Sequence, residues 1–252
     1  MTTLIRFFIS LLILVISFTG IAQTNAKEVN SQVQSWFSVN STMRLNKKFG
    51  IVADIHVRRN DFLAKESFYF ARIGASYWIR ENLTATAGYA HMWVAPAKQT
   101  WQHHAQEHRI YQQFQLTSKV GKINILQRLR NEQRWQEKIL DDQFTHKYKF
   151  TVRTRYLLSV TVPVFKNTQL PKLVLADELA IQAGKEIIYN SFDQNRIFVG
   201  IRQQISKSLV FDLGYMQVYQ QKSSGFQYDK NHTIRWFFYY TPDIRHKKPR
   251  KV

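Results

Sequence analysis

Residues 146–162 alternate between two kinds of side chain with a period of two. Every second residue from position 148 onward is apolar, aromatic or threonine. The cationic positions between them are Lys147, Lys149, Arg153 and Arg155. Successive side chains of a β-strand point to opposite faces, so the segment predicts one long strand with an apolar and a cationic face. A tilted membrane strand needs about 9–11 residues, whereas globular strands commonly have about 5–6, so the length favours a strand that crosses a bilayer.

The same period recurs along the rest of the chain and predicts eleven strands. They begin near Val33, Ile51, Phe68, Leu83, Glu107, Ile123, His146, Lys172, Asn195, Leu209 and His232. Bacterial single-chain barrels have even strand numbers, with both termini on the periplasmic side. We therefore expect 12 strands, with residues 27–31 as the start of the twelfth, or 10 if one of the eleven lies outside the wall.

The connections between these strands alternate in length. Short polar turns are predicted at 46–50, 80–82, 118–122 and 205–208, and longer segments at 60–67, 94–106, 136–144, 163–171, 183–194 and 221–230. Aromatic residues near strand ends fit interfacial girdles: Trp78, Tyr89, Trp93, Trp135 and Trp236. Short turns at one rim and long loops at the other are typical of outer-membrane barrels. The predicted fold is all-β, a single antiparallel up-and-down transmembrane β-barrel.

The N-terminal segment has the order of residues found in secretory signal peptides. Arg6 precedes an apolar run over residues 7–18, and small residues follow at Gly20 and Ala22. The run of about a dozen residues is shorter than the roughly 20 that a spanning helix needs, which favours a cleaved signal over a membrane anchor. We predict a signal peptide over 1–22, a barrel over 23–240 and a basic tail over 241–252. Localisation in the outer membrane and insertion by the barrel-assembly machinery follow as expectations.

The charge balance is strongly basic, with 36 Lys and Arg against 17 Asp and Glu and a formal net charge of +19. In a cytoplasmic protein this excess would suggest nucleic acid, which an exported protein rarely meets. The expected partners are therefore the lipid bilayer, lipopolysaccharide phosphates and small anionic solutes. Nucleic acid is not expected as a partner. A soluble exported barrel or sandwich is the alternative fold, although the bulky aromatic side chains of the apolar face would overfill a small interior.

A ladder of charged residues is predicted to face the lumen. Its members are Arg58, Glu107, Arg109, Arg128, Arg130, Glu132, Arg134, Arg153, Arg155, Glu178, Arg196, Arg202 and Arg235. Rings of Arg attract anions and repel cations, so one interpretation is a pore or binding barrel for small anionic solutes. The other is a structural or adhesion barrel whose lumen is closed by bidentate Arg–Glu contacts between opposite walls. A barrel of 12 strands is intermediate in size between small barrels, whose interior is filled by side chains, and large porins, which enclose a water-filled channel. Both the pore and the closed barrel therefore stay open as interpretations.

Two further kinds of chemistry are considered and not predicted. His91, His103, His104 and His108 with Glu107 offer ligands for zinc or copper, but their spacing matches no recognised motif. No histidine is followed two residues later by a serine, the arrangement that would place both on one strand face for nucleophilic catalysis. We therefore expect no metal, no cofactor and no enzyme, with a lipid- or lipopolysaccharide-modifying activity as the third alternative.

Several short motifs resemble successive motifs of one bacterial family. They are Glu107-His108-Arg109, Gln112-Gln113, Arg128-Leu129-Arg130-Asn131-Glu132, Arg153-Thr154-Arg155-Tyr156, Asp177-Glu178, Phe192-Asp193-Gln194-Asn195-Arg196 with Gly200, and Gly214-Tyr215. In this order they resemble the family named only as "domain of unknown function 2490", over nearly all of the chain after the predicted signal. The resemblance implies an exported outer-membrane β-barrel and supplies no activity.

Overall fold

Eleven β-strands follow one another along the chain. A computed structural model describes residues 26–167 and 169–244, and its regular structure is entirely β-strand. The strands are β1 (Glu28–Arg44), β2 (Phe49–Asn60), β3 (Lys65–Arg80), β4 (Leu83–Val94), β5 (Ala105–Val120), β6 (Ile123–Leu140), β7 (Gln143–Val162), β8 (Lys172–Ala183), β9 (Phe192–Gln204), β10 (Leu209–Gln221) and β11 (Gln227–Tyr240). The predicted signal peptide and residues 245–252 of the predicted tail lie outside the described residues.

Each strand pairs with the next in antiparallel register, and β1 pairs with β11 to close the barrel. The closing pair is parallel and runs from Glu28 opposite Gln227 to Ser41 opposite Tyr240. Closure removes both sheet edges, so the backbone N–H and C=O groups of the wall find partners within the sheet. The prediction of an all-β up-and-down barrel is confirmed, with one parallel pair in place of a fully antiparallel sheet.

The expectation of twelve strands is wrong, because the barrel that the described residues form has eleven. Residues 28–31 do not form a separate strand; they extend β1 and pair without interruption with residues 227–230 of β11. An odd number of alternating strands makes the first and last run in the same direction, which is why the closing pair is parallel. The two ends of the sheet, Glu28 and Tyr240, consequently lie at opposite rims and not at the same one.

The connections are less asymmetric than the sequence suggested. β6 and β7 continue to a two-residue turn at Asp141 and Asp142, where a longer loop was expected. Both aspartates have positive φ, 47° and 58°, as a type I′ hairpin turn requires, and Asp is among the residues that tolerate it. The long connections are 95–104 and 184–191 at the rim where β1 begins, and 163–171 at the other rim.

The period of two divides the wall into an apolar outer face and a polar inner face. Outward residues at mid-strand are well exposed, among them Ile55 at 63 %, Ile73 at 59 % and Ile197 at 51 %. Inward residues such as Asp54, Arg153 and Glu178 are buried. Trp78 is an exception to the predicted girdle, because it occupies an inward position of β3 and stacks with Arg44. No helix long and apolar enough to span a bilayer occurs in residues 26–167 and 169–244.

Glycine pairs make room for large aromatic side chains inside the barrel. Gly74 and Gly88 are paired across β3 and β4, and the buried ring of Tyr111 packs against them. A Cβ at Gly88 would lie only 2.8 Å from Cε1 of Tyr111. The arrangement recurs between β9 and β10 with Phe198, Gly200 and Gly214. Here glycine serves close packing, one of the uses of this residue within a strand.

Candidate functional site

All thirteen charged residues singled out in the sequence lie on the inner face of the barrel. Ten of them line a single cavity: Arg58, Arg109, Arg128, Arg130, Arg134, Arg153, Arg155, Glu178, Arg196 and Arg235. Glu107 and Glu132 lie behind this lining and pair with it, and Arg202 lies closer to the rim where β11 ends. The structure therefore brings the set together in one lumen, and its role in binding a solute stays a prediction.

Glu132 of β6 is the centre of the charge network. Its Oε2 accepts hydrogen bonds from Nε and Nη2 of Arg153 at 2.8 and 2.5 Å, and its Oε1 accepts one from Nη1 of Arg155 at 3.0 Å. Arg109 and Arg130 approach the same carboxylate at 3.6 Å. Glu132 is only 2 % exposed. One buried carboxylate thus neutralises part of the charge of four arginines from three strands.

Glu107 and Glu178 extend the network on either side of Glu132. Glu107 Oε1 accepts hydrogen bonds from Nε of Arg109 and Nε of Arg134, both at 2.6 Å. Glu178 accepts from Arg155, from Arg128 at 2.6 Å and from Arg196 at 3.1 Å. The bond from Arg128 joins β6 to β8, which are not neighbours in the sheet. The network therefore links strands through the lumen as well as along the wall.

Three carboxylates of the lumen were missing from the sequence-based set. Asp193 binds Arg153 at 3.2 Å, Asp54 pairs with Arg72, and Asp212 is fully buried between Arg202 at 2.7 Å and Arg235 at 3.2 Å. Asp54, Arg72 and Asp212 occupy the polar positions of alternating segments. The period of two was therefore sufficient to predict that they face the lumen. Asp193 lies beside a register shift between β8 and β9, where simple alternation fails.

Positive charge remains in excess inside the barrel. Adding Arg72 to the ten arginines of the ladder gives eleven, against six carboxylates: Asp54, Glu107, Glu132, Glu178, Asp193 and Asp212. The difference is five positive charges within this group. Among the described residues Arg58 has no carboxylate within ion-pair distance, and its Nε has no hydrogen-bond partner. Its guanidinium instead stacks on Trp36, 3.2 Å from the ring centroid, and on Phe68 at 4.2 Å.

Most of the Arg–Glu contacts lie on one side of the lumen, and most of the buried apolar and aromatic residues lie on the other. The side formed by β5–β8 carries most of the Arg–Glu network. On the other side, one apolar cluster contains Trp36, Phe198 and Met216, and a second contains Phe70 and Met92. These clusters come from strands that are contiguous through the parallel β1–β11 pair. The cavity between the two sides has a volume of about 210 Å³.

Comparison with known families agrees with this architecture. A family model described as "Protein of unknown function (DUF2490)" matches residues 33–229, which is most of the chain. The chain belongs to the DUF2490 family. The match includes twelve of the thirteen ladder residues, and Arg235 lies beyond it. Searches of curated proteins and of solved structures gave no match.

Of the histidines that the structure describes, all except His56 lie at the outer surface or the long-loop rim of this DUF2490 barrel. His91 and His108 face outward and both contact the hydroxyl of Tyr89. His103 and His104 pair with Asp142 and Glu66. No group of three or more His, Cys, Asp or Glu suited to a metal ion occurs in the part of the chain that the structure describes. Backbone N–H groups of His103 and Gln102 donate to Asp142 and lower the pKa of its carboxyl.

A serine and a histidine of this DUF2490 barrel face each other across β1 and β2. Ser38 is paired in register with His56, and both face the lumen. Sequence spacing could not reveal this pair, because it depends on strand register. The Ser38 hydroxyl accepts a hydrogen bond from Asn40 at 2.7 Å, and within the described residues no hydrogen bond joins it to His56. The pair therefore lacks the contact through which a histidine activates a serine.

Proposed function

We propose that this DUF2490 chain is an exported outer-membrane β-barrel whose basic lumen binds and passes small anionic solutes. The observation that carries the proposal is the excess of five positive charges in the network that surrounds the cavity, inside a barrel whose outer face is apolar. Fixed guanidinium groups raise the local concentration of anions and exclude cations. Its partners would be the lipid bilayer with lipopolysaccharide, the barrel-assembly machinery during insertion, and the solute.

The outer face supports the membrane location. Exposed Ile, Val, Leu and Phe side chains encircle the wall, for example Ile110, Phe114, Leu129, Val199 and Phe238. Such a continuous apolar surface is rare on soluble monomers, and it suits contact with hydrocarbon. All eleven strands have 12 residues or more, which meets the roughly 9–11 that a tilted spanning strand needs.

Fractionation of a Gram-negative host that expresses the full chain tests the location. We expect the processed chain in the outer-membrane fraction of a density gradient. We also expect it to migrate faster on a gel before heating than after, because closed barrels stay folded in detergent until heated. Recovery in the soluble periplasmic fraction would instead favour a soluble exported barrel and contradict the proposal.

Planar-bilayer recordings under a salt gradient test transport through the lumen. For the purified barrel we expect discrete conductance steps. The sign of the reversal potential should show that anions permeate more readily than cations. Arg130→Gln should reduce the anion preference, because Arg130 faces the cavity and lies 3.6 Å from its nearest carboxylate. Lys207→Gln, in the exposed turn between β9 and β10, is the matched control and should leave the selectivity unchanged.

A closed structural barrel is the second candidate, favoured by the short contacts that surround Glu132. In that case the Arg–Glu network closes the lumen and serves stability alone. The absence of both conductance and saturable anion binding would support it. Saturable anion binding without conductance would indicate a binding barrel. We infer binding over catalysis for the lumen, because the Ser38 hydroxyl is engaged by Asn40.

A further inference from the structure

We propose that the lumen takes a small aromatic carboxylate, with its carboxylate on Arg58 and its ring among the aromatic residues beside His56. This inference rests on the proposed anion-binding function and names the class of ligand. It starts from the position of Arg58, the arginine of the lumen that no carboxylate of the described residues neutralises. Every other arginine of the group has at least one acidic partner.

Arg58 is held in place without using up its hydrogen-bonding edge. The Arg58 guanidinium lies over the rings of Trp36 and Phe68, with Cζ at 3.2 and 4.2 Å from their centroids, which are cation–π distances. Within the described residues no hydrogen bond or ion pair uses its N–H groups, so these donors are open to a ligand. A planar carboxylate matches this fork and accepts two parallel hydrogen bonds from it. Arg58 is thus ready for a carboxylate from outside the protein.

The space next to Arg58 suits an aromatic ring. His56 lies two residues from Arg58 on the same face of β2, which places the two side chains roughly 6.4–6.8 Å apart along the strand. Phe70 and Phe237 approach the His56 ring edge-on, with centroids at 5.1 and 5.9 Å. The Nδ1 atom of His56 is buried and has no hydrogen-bond partner among the described residues. A ring that carries one carboxylate is long enough to reach from these aromatic residues to the Arg58 fork.

The size and charge of the cavity restrict the ligand further. Its volume of about 210 Å³ is somewhat larger than the cavity of about 150 Å³ that holds benzene in another protein, so it fits one ring with one small substituent. Inorganic anions would make no apolar contact with Phe70, Phe237 and Met216, which belong to the cavity lining. Neutral aromatic molecules would leave Arg58 without a counterion. A monoanionic ring compound of the size of benzoate would place its carboxylate on Arg58 and its ring against the aromatic residues beside His56.

Calorimetric titration of the purified full chain in dodecyl maltoside tests this assignment. The probes are benzoate, acetate, inorganic phosphate and benzyl alcohol, each corrected for its heat of mixing with empty micelles. We expect benzoate to bind at least 10-fold more tightly than the other three. Acetate and phosphate supply the charge without the ring, and benzyl alcohol supplies the ring without the charge.

Arg58→Gln tests whether Arg58 binds the carboxylate of the ligand, and Arg59→Gln is the matched control. Arg59 is the next residue, lies outside the cavity lining, and donates to the carbonyl of Leu63. Arg58→Gln should weaken benzoate binding at least 10-fold, and Arg59→Gln should not change it. The fold should tolerate Arg58→Gln, since the change removes an uncompensated charge. If a variant fails to fold, the comparison of the four probes on the unaltered chain still tests the class of ligand.

The outcomes separate this inference from the function on which it rests. Acetate or phosphate binding as tightly as benzoate would overturn the aromatic carboxylate and leave anion binding intact. Benzyl alcohol binding as tightly as benzoate would overturn the role of Arg58 as the counterion. Binding of none of the anions would contradict the proposed function itself. Benzoate binding that survives Arg58→Gln would place the ligand elsewhere and overturn the assignment.

Discussion

Glu132→Gln should destabilise the barrel more than any other single substitution of a charged residue in the lumen. The change keeps the shape of the side chain and removes the charge that four arginines share. Removal of one partner of a buried ion pair commonly costs about 3–5 kcal/mol, because the remaining charge stays buried without compensation. Arg109 and Arg153 keep other acidic partners in Glu107 and Asp193, so we expect a loss within that range.

Urea titration of the barrel in detergent micelles, followed by tryptophan fluorescence, measures this loss as a lower unfolding midpoint. The matched control is Glu137→Gln, five residues further along β6 on the opposite face, for which no ion pair occurs within residues 26–167 and 169–244. Substitutions at such positions usually change stability by no more than about 0.5 kcal/mol. Equal midpoints for Glu132→Gln and the unaltered chain would mean that the network does not stabilise the barrel.

Gly88→Val should give the largest effect among apolar substitutions in the wall. Its Cβ would collide with backbone atoms of Ile73 and Gly74 and lie 2.8 Å from the Tyr111 ring. Overpacking of a filled interior typically costs about 1–3 kcal/mol, and here the backbone contacts leave little room for adjustment. We therefore expect a value in the upper part of that range, together with slower refolding.

Ala87→Val is the matched control for Gly88→Val. Ala87 is the neighbouring residue of β4, and it is exposed on the outer face. Valine has a high propensity for β-strands, and at this position its side chain would not contact the residues of the lumen. Refolding yield and urea midpoint should match those of the unaltered chain. Gly88→Val combined with Tyr111→Leu should recover part of the loss. A Gly88→Val barrel as stable as the control would show that the wall at Tyr111 can expand.

The side of the wall on which most residues lie could be read from the chain alone, with Trp78 and Asp193 as exceptions. The alternation of Tyr148, Phe150 and Val152 with Lys149, Thr151 and Arg153 placed the charges on one face, and the structure places that face inside. Strand starts were also close, because polar turns interrupt the pattern. The prediction failed where residues could serve either as strand or as loop, as in residues 136–144, which extend β6 and β7 to a two-residue turn.

Strand number could not be derived from local pattern, because it depends on how the sheet closes. Residues 27–31 were expected to start an additional strand, but residues 28–31 continue β1 beside β11. The expectation of an even count came from other barrels and not from these residues. Only the pairing of the two terminal strands determines whether the sheet closes with a parallel or an antiparallel pair.

The sequence by itself determined an apolar outer face, a charged inner face and an excess of arginine, because a period of two fixes side-chain direction along any strand. The tertiary structure decided which charges meet. Arg153 reaches Asp193 across 40 residues, and Arg58 is left between Trp36 and Phe68 without a carboxylate. These contacts depend on strand register and on the distance across the closed lumen. Both are properties of the whole barrel, because they are set by the hydrogen bonding of all eleven strands together.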